Sequence, residues 1–262
     1  MKYNIINLIS ELKSSISSED IGEILYNKVE TALKDISLSE DDWSLIDYRC
    51  YVPEDYKIIP DEKDLINNII KETLEKCNET LSLENIIVIV LPTFDAFTLE
   101  QMNGCGGFAP FGGSSIIISL NTNTQGWQLA LAETIAHEYH HVVVHKKNDW
   151  KSLGDTFVYE GLAEHFRESI LGGEKAPFVK YNSRETCLKY WDFLKLMIDD
   201  ESEELYRGVF FGDEKHPQWL GYSLGYNLVS AYQDIYKEDW KKITERKTKE
   251  ILDILVKENI FK

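Results

Sequence analysis

Residues 127–147, WQLALAETIAHEYHHVVVHKK, form an unbroken helical pattern in which four histidines and two glutamates sit among apolar residues. Trp127, Leu131, Ile135 and Val142 recur at spacings that give the segment apolar faces. A helix of this kind has to be covered, and the segments before it supply the cover. Residues 85–91 (NIIVIVL) are a β-branched run stopped by Pro92, and residues 114–120 (SSIIISL) are a second apolar run. Both read as buried strands.

The remaining pattern divides unevenly. Residues 1–36 read as two helices, the first on Ile5, Ile6, Leu8, Ile9 and Leu12 and the second on Ile21, Ile24, Leu25, Val29, Leu33 and Ile36. Residues 43–52 (WSLIDYRCYV) read as a strand and residues 62–80 as a helix. Residues 104–113 (GCGGFAPFGG) hold five glycines and a proline, which predicts turn or irregular chain. From about 126 onwards the pattern is helical, with loops near 149–156, 172–182 and 212–218. The expected class is α+β: a small antiparallel or mixed sheet packed on the 127–147 helix, then a mainly helical lobe. The lobes are expected at 1–124 and 125–262, as one compact unit, with two loosely coupled domains as the alternative.

The chain carries 45 acidic against 28 basic residues, a formal charge of −17. Such a field repels phosphate backbones and anionic membranes, so neither nucleic acid nor a membrane is expected as a partner. No run approaches the length of a membrane span, and the N-terminal segment lacks the continuous apolar core of a signal peptide. A cytoplasmic location is the expectation. Cys50, Cys77, Cys105 and Cys187 are scattered and form no C-x-x-C pair, so a thiolate metal site is not expected. Cys105 lies in the glycine-rich stretch, where exposure is conceivable.

Five of the six histidines lie between 137 and 165. His137 and His141 are one helical turn apart, on the same side, where both imidazoles can hold one metal ion. Zinc suits neutral imidazole. Glu138 follows the first of them and can take a proton from water at an open coordination position. Eighteen residues separate His141 from Glu160 in YEGLAEHF (159–166), enough for a loop and the start of a second helix that presents Glu160 as third ligand. Two His and one Glu leave a place for water, as a catalytic zinc site requires. Glu164, one turn on, reads as a carboxylate that orients a ligand histidine. His145 as a ligand with His141 would leave Glu138 badly placed, and His140 points about a quarter turn away. Val144 and Lys147 exclude the elongated metzincin motif, which needs Gly and His there.

HEYHH (137–141) and EGLAE (160–164) resemble the gluzincin branch of zinc metallopeptidases. Together with HPQWLGYSLGY (216–226) they resemble more closely a family of predicted bacterial zinc proteases, over roughly residues 105–232. The resemblance implies one zinc per chain on His137, His141 and Glu160, with Glu138 as general base. It also implies a donor to the tetrahedral oxyanion some sixty residues beyond the third ligand, where Tyr222, Tyr226 and His216 compete, Tyr222 being favoured. An edge strand that binds substrate through its backbone is implied too. The stretch 106–118 is placed for it, with Gly107, Phe108 and Ala109 as the contacts.

The expected function is thus a zinc-dependent hydrolase, in first place a metallopeptidase acting on a peptide or protein. One alternative is hydrolysis of another amide or an ester. The other is a non-catalytic zinc-stabilised interaction protein, which would require His140 or His145 to close the coordination shell.

Overall fold

The computed structural model describes residues 1–12, 16–258 and 261. Two compact units divide it, Met1–Lys146 and Lys147–Lys262.

The first unit runs β1 (Lys2–Asn7), a 3-10 turn (Ile9–Glu11), α1 (Ser18–Leu33), α2 (Glu40–Arg49), α3 (Lys63–Thr80), β2 (Asn85–Pro92), α4 (Ala96–Gln101), β3 (Cys105–Phe108), β4 (Ser115–Leu120) and α5 (Trp127–His145). Its four strands form one mixed sheet in the order β1-β2-β4-β3. β1, β2 and β4 are parallel, and β3 pairs antiparallel to β4 with Gly107 opposite Ile118. β4 is buried along its whole length, consistent with its unbroken SIIISL run. α5 packs on β3 and β4 and against α3. The Tyr139 phenol, fully buried, donates to the Leu81 carbonyl just past α3 at 2.6 Å. A bond of that kind contributes about 1 kcal/mol and fixes the rotation of α5 about its axis.

The second unit is helical: α6 (Leu153–Leu171), α7 (Pro177–Lys180), α8 (Arg184–Leu194), α9 (Glu203–Phe211), α10 (Leu220–Tyr236), α11 (Trp240–Glu245) and α12 (Thr248–Lys257). Its centre is the crossing of α6 with α10. A Cβ on Gly161 would lie 2.3 Å from the Gly225 carbonyl oxygen, and one on Gly225 would lie 2.3 Å from that of Phe157. Only glycine allows the two backbones to approach so closely. α6 begins with a capping box, in which Ser152 accepts from the Asp155 N–H and Asp155 accepts from the Ser152 N–H.

The α+β class and the mixed sheet agree with the sequence reading, as do β2, β4, α3 and the helical second half. Three elements differ. Residues 2–7 are a strand, not the start of a helix. The parallel ladder of β2 supplies their hydrogen bonds, and the Asn7 side chain, accepting from the Ile9 N–H at 3.0 Å, ends the strand. The N-terminal helix expected there also ran through residues 13–15, which lie outside the described residues. Residues 40–49 are a helix rather than a strand. A capping box joins Ser39 and Asp42, three acidic residues occupy its first turn, and only one side buries, through Asp42 and Ile46. Within the glycine-rich stretch, residues 105–108 are a true strand, held by β4 despite the low strand propensity of glycine.

Candidate metal centre

α5 starts at Gly126, whose positive φ of 85° turns the chain into the helix. About three and four turns on, the rings of His137 and His141 face each other with centroids 4.6 Å apart and planes at 82°. Their Nε2 atoms are 2.9 Å apart. Two imidazole nitrogens bound to one tetrahedral zinc stand about 3.3 Å apart, given zinc–nitrogen bonds of about 2.05 Å. A few tenths of an ångström of side-chain adjustment would bring the pair to that spacing. His141 and Glu138 are buried, and His137 is half-buried.

Glu160 sits on α6 one turn beyond Phe157, and Gly161 follows it at the close crossing with α10. Potential ligand atoms of His137, His141 and Glu160 all lie within 4.8 Å of one another. Two imidazoles and a carboxylate are the donor chemistry of a zinc site with one position left for water. Among the described residues this group contains no fourth His, Cys, Asp or Glu. His145 stacks on Phe111, ring centroids 4.0 Å apart. His140 is fully buried.

The edge strand runs directly beside Glu138. A Cβ on Gly107 would meet Thr134 Cγ2 at 2.7 Å, Ile118 Cδ1 at 3.0 Å and Glu138 Cγ at 3.2 Å. Glycine is therefore needed for β3 to pass the helix at this point. Phe108 follows on the other face of the strand, under the Arg49 guanidinium, and Ala109 is buried just past the strand. Cys105 is buried rather than exposed, and burial pushes its thiol up to about 12. All four cysteines are free and buried.

Among the remaining expected residues, Glu164 is buried and accepts from Arg167 Nε at 3.3 Å and Nη2 at 3.2 Å. Tyr226 donates its phenolic proton to Glu168 Oε2 at 2.8 Å, while His165 stacks on its ring at 4.0 Å. Burial first, then the Glu168 carboxylate, raise the phenol above its ordinary pKa. Tyr222 is half-buried between the rings of Phe178 and Phe210, each 5.0 Å away. His216 is buried, with Nδ1 3.0 Å from Asp213 Oδ1, so the carboxylate accepts from the Nδ1–H and Nε2 is the other face of the ring. Burial disfavours the charged Asp213 carboxylate, but hydrogen bonds from the Lys215 N–H and from His216 outweigh it and hold the group below its usual range.

Two residues near these groups went unread in the sequence. Tyr206 on α9 is half-buried, and its phenol is raised by burial and by the charge of Glu160. Arg49, at the end of α2, carries a charge that interacts with Glu138. Neither belongs to a motif, and only the folded chain brings either near a site residue.

Residues 66–253 match a family described as predicted Zn-dependent protease (DUF2268), and the chain belongs to it. Two proteins of Bacillus subtilis (strain 168) are similar to this chain. The uncharacterized protein YjfC is 29% identical over 144 residues, covering 49% of this chain and 48% of its own length. The uncharacterized protein YjaZ is 27% identical over 110 residues, covering 39% and 42%. The similarity thus spans less than half of either relative. No solved structure matches. Among the described residues, no helix is long and apolar enough to cross a membrane.

Proposed function

From membership in a family of predicted Zn-dependent proteases, we propose that this chain is a gluzincin-type metallopeptidase that cleaves peptide bonds in a peptide or protein substrate. The observation that carries the reading is the convergence of His137 and His141 Nε2 with the Glu160 carboxylate, with Glu138 adjoining the first histidine on the same helix.

His137, His141 and Glu160 would hold one zinc ion. Bound there, zinc supplies Lewis-acid polarisation of a carbonyl and acidifies water. Glu138 takes the proton of the attacking water and passes it to the leaving amine, a general-base role contributing about a hundred- to ten-thousandfold. Its burial strengthens each electrostatic interaction it makes. For the oxyanion donor, His216 is favoured: Asp213 accepts from Nδ1 and would stabilise an imidazolium, whose Nε2–H would be the donor. Tyr222 remains the second candidate, whereas the proton of Tyr226 is engaged with Glu168. Glu164, fixed by Arg167, would support the ligand set from behind. Gly107, Phe108 and Ala109 would hold substrate along β3. The four free thiols suit a reducing compartment, and we place the enzyme in the cytoplasm.

Zinc-loaded wild-type protein and Glu138→Gln, incubated with a mixed peptide library, test this reading. Cleavage by the wild type is expected to stop on chelation and return with zinc. The Gln variant should keep its zinc and lose activity by about a thousandfold or more. Full activity of the zinc-loaded variant would remove Glu138 as the base. Turnover of other amides or esters with peptides untouched would move the chain to a different hydrolase class.

A further inference from the structure

Arg49 is a cation that the first unit sets beside the edge strand, and its hydrogen bonding is incomplete. Nη1 donates to Ser119 Oγ at 3.0 Å, and the guanidinium carbon lies 5.0 Å from the Phe108 ring centroid. The Nε–H is fully buried and has no hydrogen-bond partner. No salt bridge of Arg49 is formed among the described residues, and the charges of Glu138 and Asp95 act on it. A guanidinium keeps its charge in a protein and offers five donors in a fixed fork. Leaving buried donors unused is costly, and a carboxylate is the group that best satisfies them.

The sheet says where such a carboxylate would come from. β3 ends the sheet, so one side of its backbone is free of strand partners among the described residues. Ser119 lies opposite Gly106 and Ile117 opposite Phe108, so Arg49 sits on that face of the strand pair. Gly107 and Ile118 face the other way, towards Thr134 and Glu138. A peptide added along β3 continues this alternation, with every second side chain on the Arg49 face. Gly106 offers no side chain to block the approach.

We infer that Arg49 is a specificity-determining residue that binds a carboxylate of the substrate, so that the enzyme prefers peptides carrying an acidic group at one fixed position from the cleaved bond. The inference rests on the peptidase reading and adds a substrate class to it. In a chain of net charge −17, a cation without an ion-pair partner would admit an anionic group at one place while the rest of the surface repels it.

The test uses zinc-loaded full-length protein and a degenerate peptide mixture, with products sequenced by mass spectrometry. Asp or Glu should be enriched at one position. A matched synthetic set then carries Glu or Gln there, each with a free or an amidated C-terminus. For the wild type, neutralising the recognised carboxylate should raise KM by about ten- to a hundredfold with kcat little changed. Sensitivity to Gln identifies a side chain, and sensitivity to the amide identifies the chain terminus; either supports the assignment. Arg49→Met should abolish the difference between the Glu and Gln peptides, the readout being that ratio within each variant, and Arg49→Lys should retain part of it. If Arg49→Met does not fold, the wild-type set and Arg49→Lys still decide. Cleavage without any acidic preference, or a preference that Arg49→Met keeps, would overturn the inference while leaving the peptidase reading intact. No cleavage of any peptide would overturn both.

Discussion

α5 and α6 each contribute donors to the proposed zinc site, but they place them by different means. On α5 the geometry is local: a four-residue step puts His137 and His141 on one face with Nε2 atoms 2.9 Å apart, and Glu138 comes with them. Only the rotation of the helix is left to its surroundings, through Tyr139 and Gly107. On α6 the position of Glu160 depends on a crossing with α10 that works because Gly161 and Gly225 have no side chains. Half of the site follows from one helical repeat, and the other half depends on packing between residues some sixty positions apart.

The difference can be broken by substitution. Losing a group that merely supports a zinc ligand costs about ten- to a hundredfold in affinity, so losing a ligand should cost more than about a hundredfold. His141→Ala should therefore abolish stoichiometric zinc binding, measured by competition with a chelating dye, and Glu160→Gln should weaken it strongly while leaving the helices intact by circular dichroism. Equal, undiminished zinc binding by Glu160→Gln would reduce the site to its α5 half.

Next in size is the crossing itself. In Gly225→Ala the new methyl would lie 2.3 Å from the Phe157 carbonyl oxygen, an overlap relieved only by moving backbone. Overpacking of this kind costs about 1–3 kcal/mol, or about 3–10 °C in Tm for a chain of this size. Zinc affinity should fall with it. Unchanged affinity at lowered Tm would show that Glu160 does not depend on the crossing.

The smallest expected effect lies at the far end of α10. Glu238 accepts from Arg246 Nε at 2.9 Å and from the Tyr232 phenol, and pairs with Lys242 at 2.8 Å. The Arg246 hydrogen bond, more than any other contact, pulls its pKa down to about 2, against burial. A carboxyl depressed from about 4.3 in the unfolded chain stabilises the fold fully above that pH, and the contribution fades as pH falls towards about 2. Thermal melts of wild type and Glu238→Gln should differ at pH 7 and converge as pH is lowered through that window. A constant difference across it would mean the pairing carries no pH-linked stability.

How much was legible in the sequence follows the same division. The strands 85–92 and 115–120, the helix 63–80 and the histidine pair each rest on local periodicity, and each is present. β1 is set by the ladder of β2, which no local pattern displays. α2 is set by its capping box, which the alternation in WSLIDYRCYV concealed. β3 was hidden from the local pattern by glycines that serve the close pass by Glu138 rather than strand propensity, and only the edge strand implied by the resemblance anticipated it. Among candidate site residues, the chemical type was readable from spacing, but partners were not. The Glu168 acceptor of Tyr226, the Asp213 that orients His216 and the Arg167 on Glu164 all depend on side-chain placement. Arg49 could not be found at all until β3 was known to be a strand.

A crystal structure of the zinc-loaded protein tests the central claim most directly. The account predicts one zinc on Nε2 of His137, Nε2 of His141 and a carboxylate oxygen of Glu160, at about 2.0–2.2 Å, with water in the remaining position next to Glu138. Zinc bound elsewhere, or a shell closed by His140 or His145 as a fourth protein ligand, would contradict it.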